Sequence, residues 1–206
     1  SQNDNILGIT TATANSYDNH GNVTGSTVTV QDVHTTRTNT VYQAFPGSIP
    51  NKPVSVTVTH TRSGQPAHSI TTAYGYDSKG QLTSRTDFSG QPERVTSTYS
   101  YDNLGSVIST SVGSPGIATR MTSAGYDRKG RYAESITDEM GYIASVAYDP
   151  KWGVPLSATN VQGITTSYEY DPFGRLRKTN FPEGYSQEIS YHWGVSANQR
   201  WYMQTS

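Results

Sequence analysis

The chain has 206 residues, a formal net charge of −1 and 15% charged side chains, a balance that offers no field to gather nucleic acid or an anionic membrane. It contains no run of about 18 apolar residues that would insert into a bilayer. Cysteine is absent, which excludes disulfides, thiol catalysis and Cys-ligated zinc. Leu, Ile, Val and Phe together fall below the ~20% share expected of a compact domain, whereas there are 15 Tyr and Thr is more numerous still. Tyr, Thr, Val and Ile are strand residues, and a tyrosine leaves a sheet face apolar at its ring and wet at its hydroxyl. The composition predicts an all-β protein with a thin, partly hydrated core.

Residues 1–15 have neither the basic start nor the apolar block of a signal peptide. The first recurrent motif follows at Tyr17-Asp18-Asn19-His20-Gly21. The stretches at 23–33 and 52–61 alternate well enough to be strands, with a loop at 45–53 between them. We read residues 1–65 as degenerate β repeats that lead into a regular array over 66–206.

In that array Tyr-Asp-x-x-Gly returns at Tyr76-Asp77…Gly80, Tyr101-Asp102…Gly105, Tyr126-Asp127…Gly130 and Tyr170-Asp171…Gly174, and with one extra residue at Tyr148-Asp149…Gly153. The six tyrosines are 59, 25, 25, 22 and 22 residues apart. The residues entering each motif alternate with period 2: Ile70, Thr72, Tyr74 and Tyr76 share one parity, as do Ile164, Thr166, Tyr168 and Tyr170. This places the tyrosines on one face of a strand, and Thr, Ala, Ser, Gly, Glu and finally the motif Asp on the other. Asp favours the first position of a type I turn because its carboxylate accepts bonds from backbone N–H groups ahead of it. Gly at the fourth position closes a three-residue hairpin loop with a bulge. The arithmetic sets Tyr17 opposite Val23, Tyr76 opposite Leu82, Tyr101 opposite Val107, Tyr126 opposite Tyr132 and Tyr170 opposite Leu176.

Between these corners, Asp87-Phe88-Ser89-Gly90, Asp138-Glu139-Met140-Gly141 and Asn160-Val161-Gln162-Gly163 repeat the Asp/Asn-x-x-Gly logic. Val112–Gly116 and Phe181–Gly184 turn with Pro and Gly. A repeat is therefore two strands and two turns, and stacked repeats extend one antiparallel sheet. Residues 200–206 read as a strand lacking its partner, which predicts that the natural protein continues beyond them.

Tyr-x-Tyr-Asp-x-x-Gly-Arg-Leu at 168–176 resembles the YD repeat of RHS proteins, which include bacterial polymorphic and insecticidal toxins, wall-associated RHS proteins and the teneurins. The resemblance is good over 66–206 and weak over 1–65. It implies tandem antiparallel hairpins forming a long twisted, spiralling sheet, a segment of an RHS shell that encloses or presents a C-terminal effector region of the same polypeptide. It also implies a secreted or cell-envelope location. Shells of this family carry paired Asp-Pro-x-Gly-Leu motifs that cut the chain. Asp149-Pro150 and Asp171-Pro172 resemble that pairing, but the first has an inserted residue and the second has Arg175 where Leu would stand, so both are read as hairpin turns.

No catalytic, metal or cofactor constellation is legible. His60 and His68 flank the Ser63–Pro66 turn and are read as surface histidines; Glu134, Asp138 and Glu139 are read as solvated or turn-capping. Asn22-Val23-Thr24 fits a glycosylation sequon by coincidence of the hairpin. The expected function is non-enzymatic and structural, with no cofactor, nucleic acid or membrane partner. The alternative is an extracellular module that binds carbohydrate or a cell surface through Tyr74, Tyr99, Trp152, Tyr168 and Trp193.

Overall fold

The computed structural model describes residues 2–4, 9–31, 33–44, 51–193 and 201–205, and the side chains of 10–31, 33–44 and 51–192. Most of the loop expected at 45–53 lies outside the described residues. Among the described residues there are seventeen strands and no helix. They are β1 (Gln2–Asp4), β2 (Ile9–Tyr17), β3 (Val23–Val30), β4 (His34–Gln43), β5 (Lys52–Arg62), β6 (His68–Tyr76), β7 (Leu82–Asp87), β8 (Val95–Tyr101), β9 (Val107–Ser114), β10 (Ile117–Tyr126), β11 (Ala133–Thr137), β12 (Ile143–Tyr148), β13 (Pro155–Thr159), β14 (Thr165–Tyr170), β15 (Leu176–Asn180), β16 (Ser186–Trp193) and β17 (Trp201–Thr205).

The chain divides into two compact units, Ser1–Ser100 with Thr110–Arg120 and Tyr101–Ser109 with Met121–Ser206. In the first, β1 to β8 pair antiparallel, each with its neighbour in sequence. In the second, β10 to β17 do the same. This is the tandem hairpin architecture that the repeat predicts. The segment 201–205, expected to lack a partner, pairs with β16 through Trp193↔Trp201 to Ile189↔Thr205.

The hairpin registers follow from turn length. Tyr17 faces Val23, Tyr76 faces Leu82 and Tyr170 faces Leu176, each with a register shift one step before the tyrosine. Tyr126 departs from expectation: its partner is Ala133 rather than Tyr132. Here the loop closes one residue later, with Asp127 N–H donating to the Tyr132 carbonyl. The Asp87 turn also differs. Its carboxylate accepts from the Arg85 guanidinium at 2.9 Å and the Thr72 hydroxyl at 3.1 Å, so no Asp-capped loop forms. Phe88 takes a left-handed φ of 53° instead.

No described residue is buried, apolar or polar. In place of a core, the strand registers sort two chemistries onto opposite faces. In the first unit one face carries the rows Ala12–Thr29–Thr35–Thr61, Thr27–Arg37–Thr59–Ser69 and Ala73–Thr86–Thr96. The other carries Ser26–Thr38–Val58–Ile70, Val28–Thr36–His60–His68 and Tyr74–Arg85–Ser97. The second unit repeats the division, with Gly125–Ser135–Ser145–Thr159–Thr165 on one face and Val146–Ala158–Thr166 on the other.

On the small-residue face hydroxyls bond across strands: Thr57 to Thr71 at 2.9 Å, Thr59 to Ser69 at 2.8 Å, Thr98 to Ser111 at 2.6 Å and Thr159 to Thr165 at 2.8 Å. Each such pair contributes about 0.2–1 kcal/mol, so cohesion comes from repetition.

Two glycines of the second unit separate backbone strain from packing. Gly163 (φ 79°) has open space where a Cβ would stand, whereas a Cβ at Gly174 (φ 78°) would lie 3.3 Å from the Trp152 indole. Gly163→Ala should cost about 1–2 kcal/mol for the left-handed backbone alone. Gly174→Ala should cost measurably more, and urea unfolding of the two variants makes the comparison.

Candidate functional site: the Tyr-Asp turns

The residues singled out by the repeat meet at the hairpin corners. At the last of them Asp171 N–H donates to the Arg175 carbonyl at 2.9 Å, and Gly174 N–H donates to the Asp171 carbonyl at 2.9 Å. The Asp171 carboxylate accepts from the backbone N–H groups of Phe173 at 2.9 Å and Arg175 at 3.0 Å. Its second oxygen pairs with the Arg175 guanidinium at 2.6 Å.

Asp18, Asp77 and Asp102 accept from the N–H groups two and four residues ahead in the same way. Asp127 bonds Arg131 and Tyr132, and Asp149 bonds Lys151 and Trp152, as their longer loops require. The six motif glycines have φ between 66° and 92°, a conformation a side chain resists. Asp138 and Asn160 build the same corner at the opposite hairpin ends. Asp138 is thus a turn cap rather than part of an acidic cluster.

Four of the motif carboxylates, Asp18, Asp102, Asp127 and Asp171, are held below the ordinary carboxylate range. The Asn22 side chain, followed by backbone N–H groups, keeps Asp18 below the ordinary carboxylate range, and the Ser106 N–H leads the same effect at Asp102. At Asp127 and Asp171 desolvation is the largest single influence and pushes upward, but the bonds from Arg131 and Arg175 together outweigh it. A carboxylate with its lone pairs committed to backbone amides and a depressed pKa is poorly suited to deliver protons near neutrality.

Three of the motif tyrosines, Tyr76, Tyr126 and Tyr170, point back along the sheet. The Tyr170 hydroxyl donates to the Pro155 carbonyl at 2.7 Å, tying the end of β14 to the start of β13, beside the preceding Tyr-Asp turn. Tyr76 does this to Pro53 at 3.0 Å and Tyr126 to Val107 at 3.2 Å. Desolvation, with Tyr74 and Tyr168 close by, raises the pKa of Tyr76 and Tyr170. Two tyrosines outside the motif play the same part: Tyr42 donates to Val23 at 3.1 Å and Tyr191 to Leu176 at 3.0 Å. The signal available in the sequence was their place at or near a strand end, with the parity of the motif tyrosines.

Tips also lean on the next corner. A Cβ at Gly130 would meet Leu104 at 2.5 Å, and one at Gly153 would meet the Tyr132 hydroxyl at 2.6 Å. The Tyr132 ring stacks on Tyr148 at 5.0 Å.

Of the aromatics considered as a ligand face, Tyr74, Tyr99 and Tyr168 are half-buried within the sheet. Trp152 stands at a tip, 47% exposed, with the Lys151 ammonium 4.6 Å from its ring centre. The Trp193 side chain lies outside the described residues. Among the described residues no group of three or more His, Asp or Glu is placed to hold a metal.

No protein-family model matches the chain, and no curated protein matches it in sequence. Solved structures do. The crystal structure of TcdB2-TccC3-Cdc42 aligns over 88% of this chain and 11% of the other, with a TM-score of 0.56 and 12% identity. That of TcdB2-TccC3 aligns over 89% and 12%, with a TM-score of 0.55 and 12% identity. The chain has an RHS-like fold. It spans about a tenth of the length of those chains, and at such identity the likeness is one of fold.

Removing the Tyr170 hydroxyl (Tyr170→Phe) should cost about 0.5–1.5 kcal/mol, the net worth of one hydrogen bond. Tyr168→Phe, whose ring serves packing, should stay within about 0.5 kcal/mol of wild type; chemical denaturation reads both. The depressed carboxylates also set a pH limb. Their stabilisation is complete above the unfolded value near 3.8 and is lost as pH falls through the lower folded values. Asp171→Asn, which keeps an acceptor as Asn160 does, should flatten that acid limb when unfolding is followed from about pH 6 to pH 2.

Proposed function

We propose that this chain is a non-enzymatic wall segment of an RHS shell, which encloses or presents a C-terminal effector region of the same polypeptide in a secreted or cell-envelope protein. The observation that carries the reading is the tyrosine strut. It fastens a hairpin to the strand before it, a construction that lengthens a sheet without needing a core. The motif carboxylates are committed to turns, which supports a structural rather than a catalytic use of the repeat. The fold it shares with TcdB2-TccC3 structures supports the same assignment.

The exposed tip aromatics Trp152 and Phe173, 47% and 75% accessible, favour one alternative, a module that binds carbohydrate or a cell surface.

The test is limited proteolysis of the full natural polypeptide that contains these residues. A shell predicts that the region C-terminal to the array survives protease until the array is denatured. Immediate digestion of that region, with glycan-array binding abolished by Trp152→Ala, would support the binding module instead.

A further inference from the structure

We propose that His34 and His60 form a binding site for a borderline divalent cation of the Zn2+, Ni2+ or Cu2+ class, on the face of β4 and β5 that carries Val28, Thr36 and His60 in one row. This goes beyond the shell reading and does not depend on it. The spacing in sequence suggested His60 and His68 as partners across a turn. They are indeed directly opposed on β5 and β6, but the histidine that reaches His60 comes from the other side. The His34 and His60 rings stack with centres 5.8 Å apart and planes 20° from parallel.

Both rings address one point. His34 Nε2 lies 3.3 Å and His60 Nδ1 3.1 Å from the Thr36 Oγ1. That hydroxyl has a single proton, so it donates to one imidazole nitrogen and must accept from the other. A cation seated near the hydroxyl would engage both nitrogens as lone-pair donors, with Thr36 and water filling the remaining positions. Imidazole suits Zn, Ni and Cu and has little affinity for Mg2+ or Ca2+. His34 also faces Arg62 directly across the β4–β5 pair, which weakens any cation site and places the affinity well below that of a structural four-ligand centre. His68 does not join as a third ligand. His34 opens β4 and His60 lies inside β5, and each has a ladder partner, so the two Cα positions are set by the β4–β5 register.

The experiment titrates Zn2+ and Ni2+ into the 206-residue chain at pH 7.5, with Mg2+ as the comparison and chelator reversal. Isothermal calorimetry and histidine side-chain NMR supply the readouts. One saturable ion per chain is expected for Zn2+ and Ni2+ and none for Mg2+, with the His34 and His60 resonances shifting together. His34→Asn and His60→Gln should each weaken binding about tenfold or more, since losing a ligand costs at least what losing its supporting shell does. His20→Gln should leave binding unchanged, and circular dichroism confirms that each variant keeps its sheet. No saturable binding to about millimolar metal, a range where weak sites still register, overturns the proposal. So does binding that survives His34→Asn but is lost in His68→Gln, which would assign the ion to the β5–β6 pair.

Discussion

The bond from the Tyr170 hydroxyl to the Pro155 carbonyl shows what this sheet must solve. A hairpin alone is marginal in water, and no described residue here is buried deeply enough to act as an anchor. The end of one strand is therefore tied to the start of the one before it by a side chain long enough to cross the gap. The same tie appears at Tyr42, Tyr76, Tyr126 and Tyr191. At Tyr76, Tyr126 and Tyr170 the tie leaves the strand directly before an Asp-x-x-Gly corner, whereas Tyr42 and Tyr191 make it without one. Where Tyr and Asp are adjacent in the motif, as at Tyr170-Asp171, one hairpin end carries both a strut and a capped corner.

Sorting the two faces is the second consequence. Cross-strand rows of Ser, Thr, Ala and Gly allow close approach and hydroxyl-to-hydroxyl bonds, as between Thr57 and Thr71. The opposite face carries Val, Ile and Tyr among Ser, Thr, His and Arg, as in Val28–Thr36–His60–His68 and Tyr74–Arg85–Ser97. Neither face is deeply covered, since large apolar side chains such as Ile117, Ile136 and Ile143 stay more than half exposed, and cohesion rests on the repeated ladders, corners and struts. The fold is shared with solved structures at 12% identity.

Much of this was legible in the residues because the turn has a fixed length. Tyr170 faces Leu176 because the loop from Asp171 closes at Arg175. Elsewhere spacing fails. The loop from Asp127 closes at Tyr132 and the expected partner moves one place, although Arg131 pairs with Asp127 as Arg175 does with Asp171; the motif residues do not distinguish the two loops. Asp87 is taken by Arg85 on its own strand and by Thr72 on the neighbouring one, a competition visible only once β6 and β7 are in register. The struts were illegible for a related reason: Tyr170 and Pro155 meet because β13 and β14 pair, and nothing in Tyr-Asp-x-x-Gly states the register between successive hairpins. His34 and His60 likewise meet only through the β4–β5 register.

Amide hydrogen exchange at the corners tests the account most directly. Leu104, Ser106, Phe173 and Arg175 have N–H groups bonded to aspartate carboxylates at exposed hairpin tips, where a flexible loop would exchange freely. The account predicts that these four amides are protected alongside the ladder amides of the adjoining strands. Exchange at the rate of an unstructured peptide would mean that the aspartates do not hold the corners, and that the repeated motif must be explained by something other than folding the ribbon.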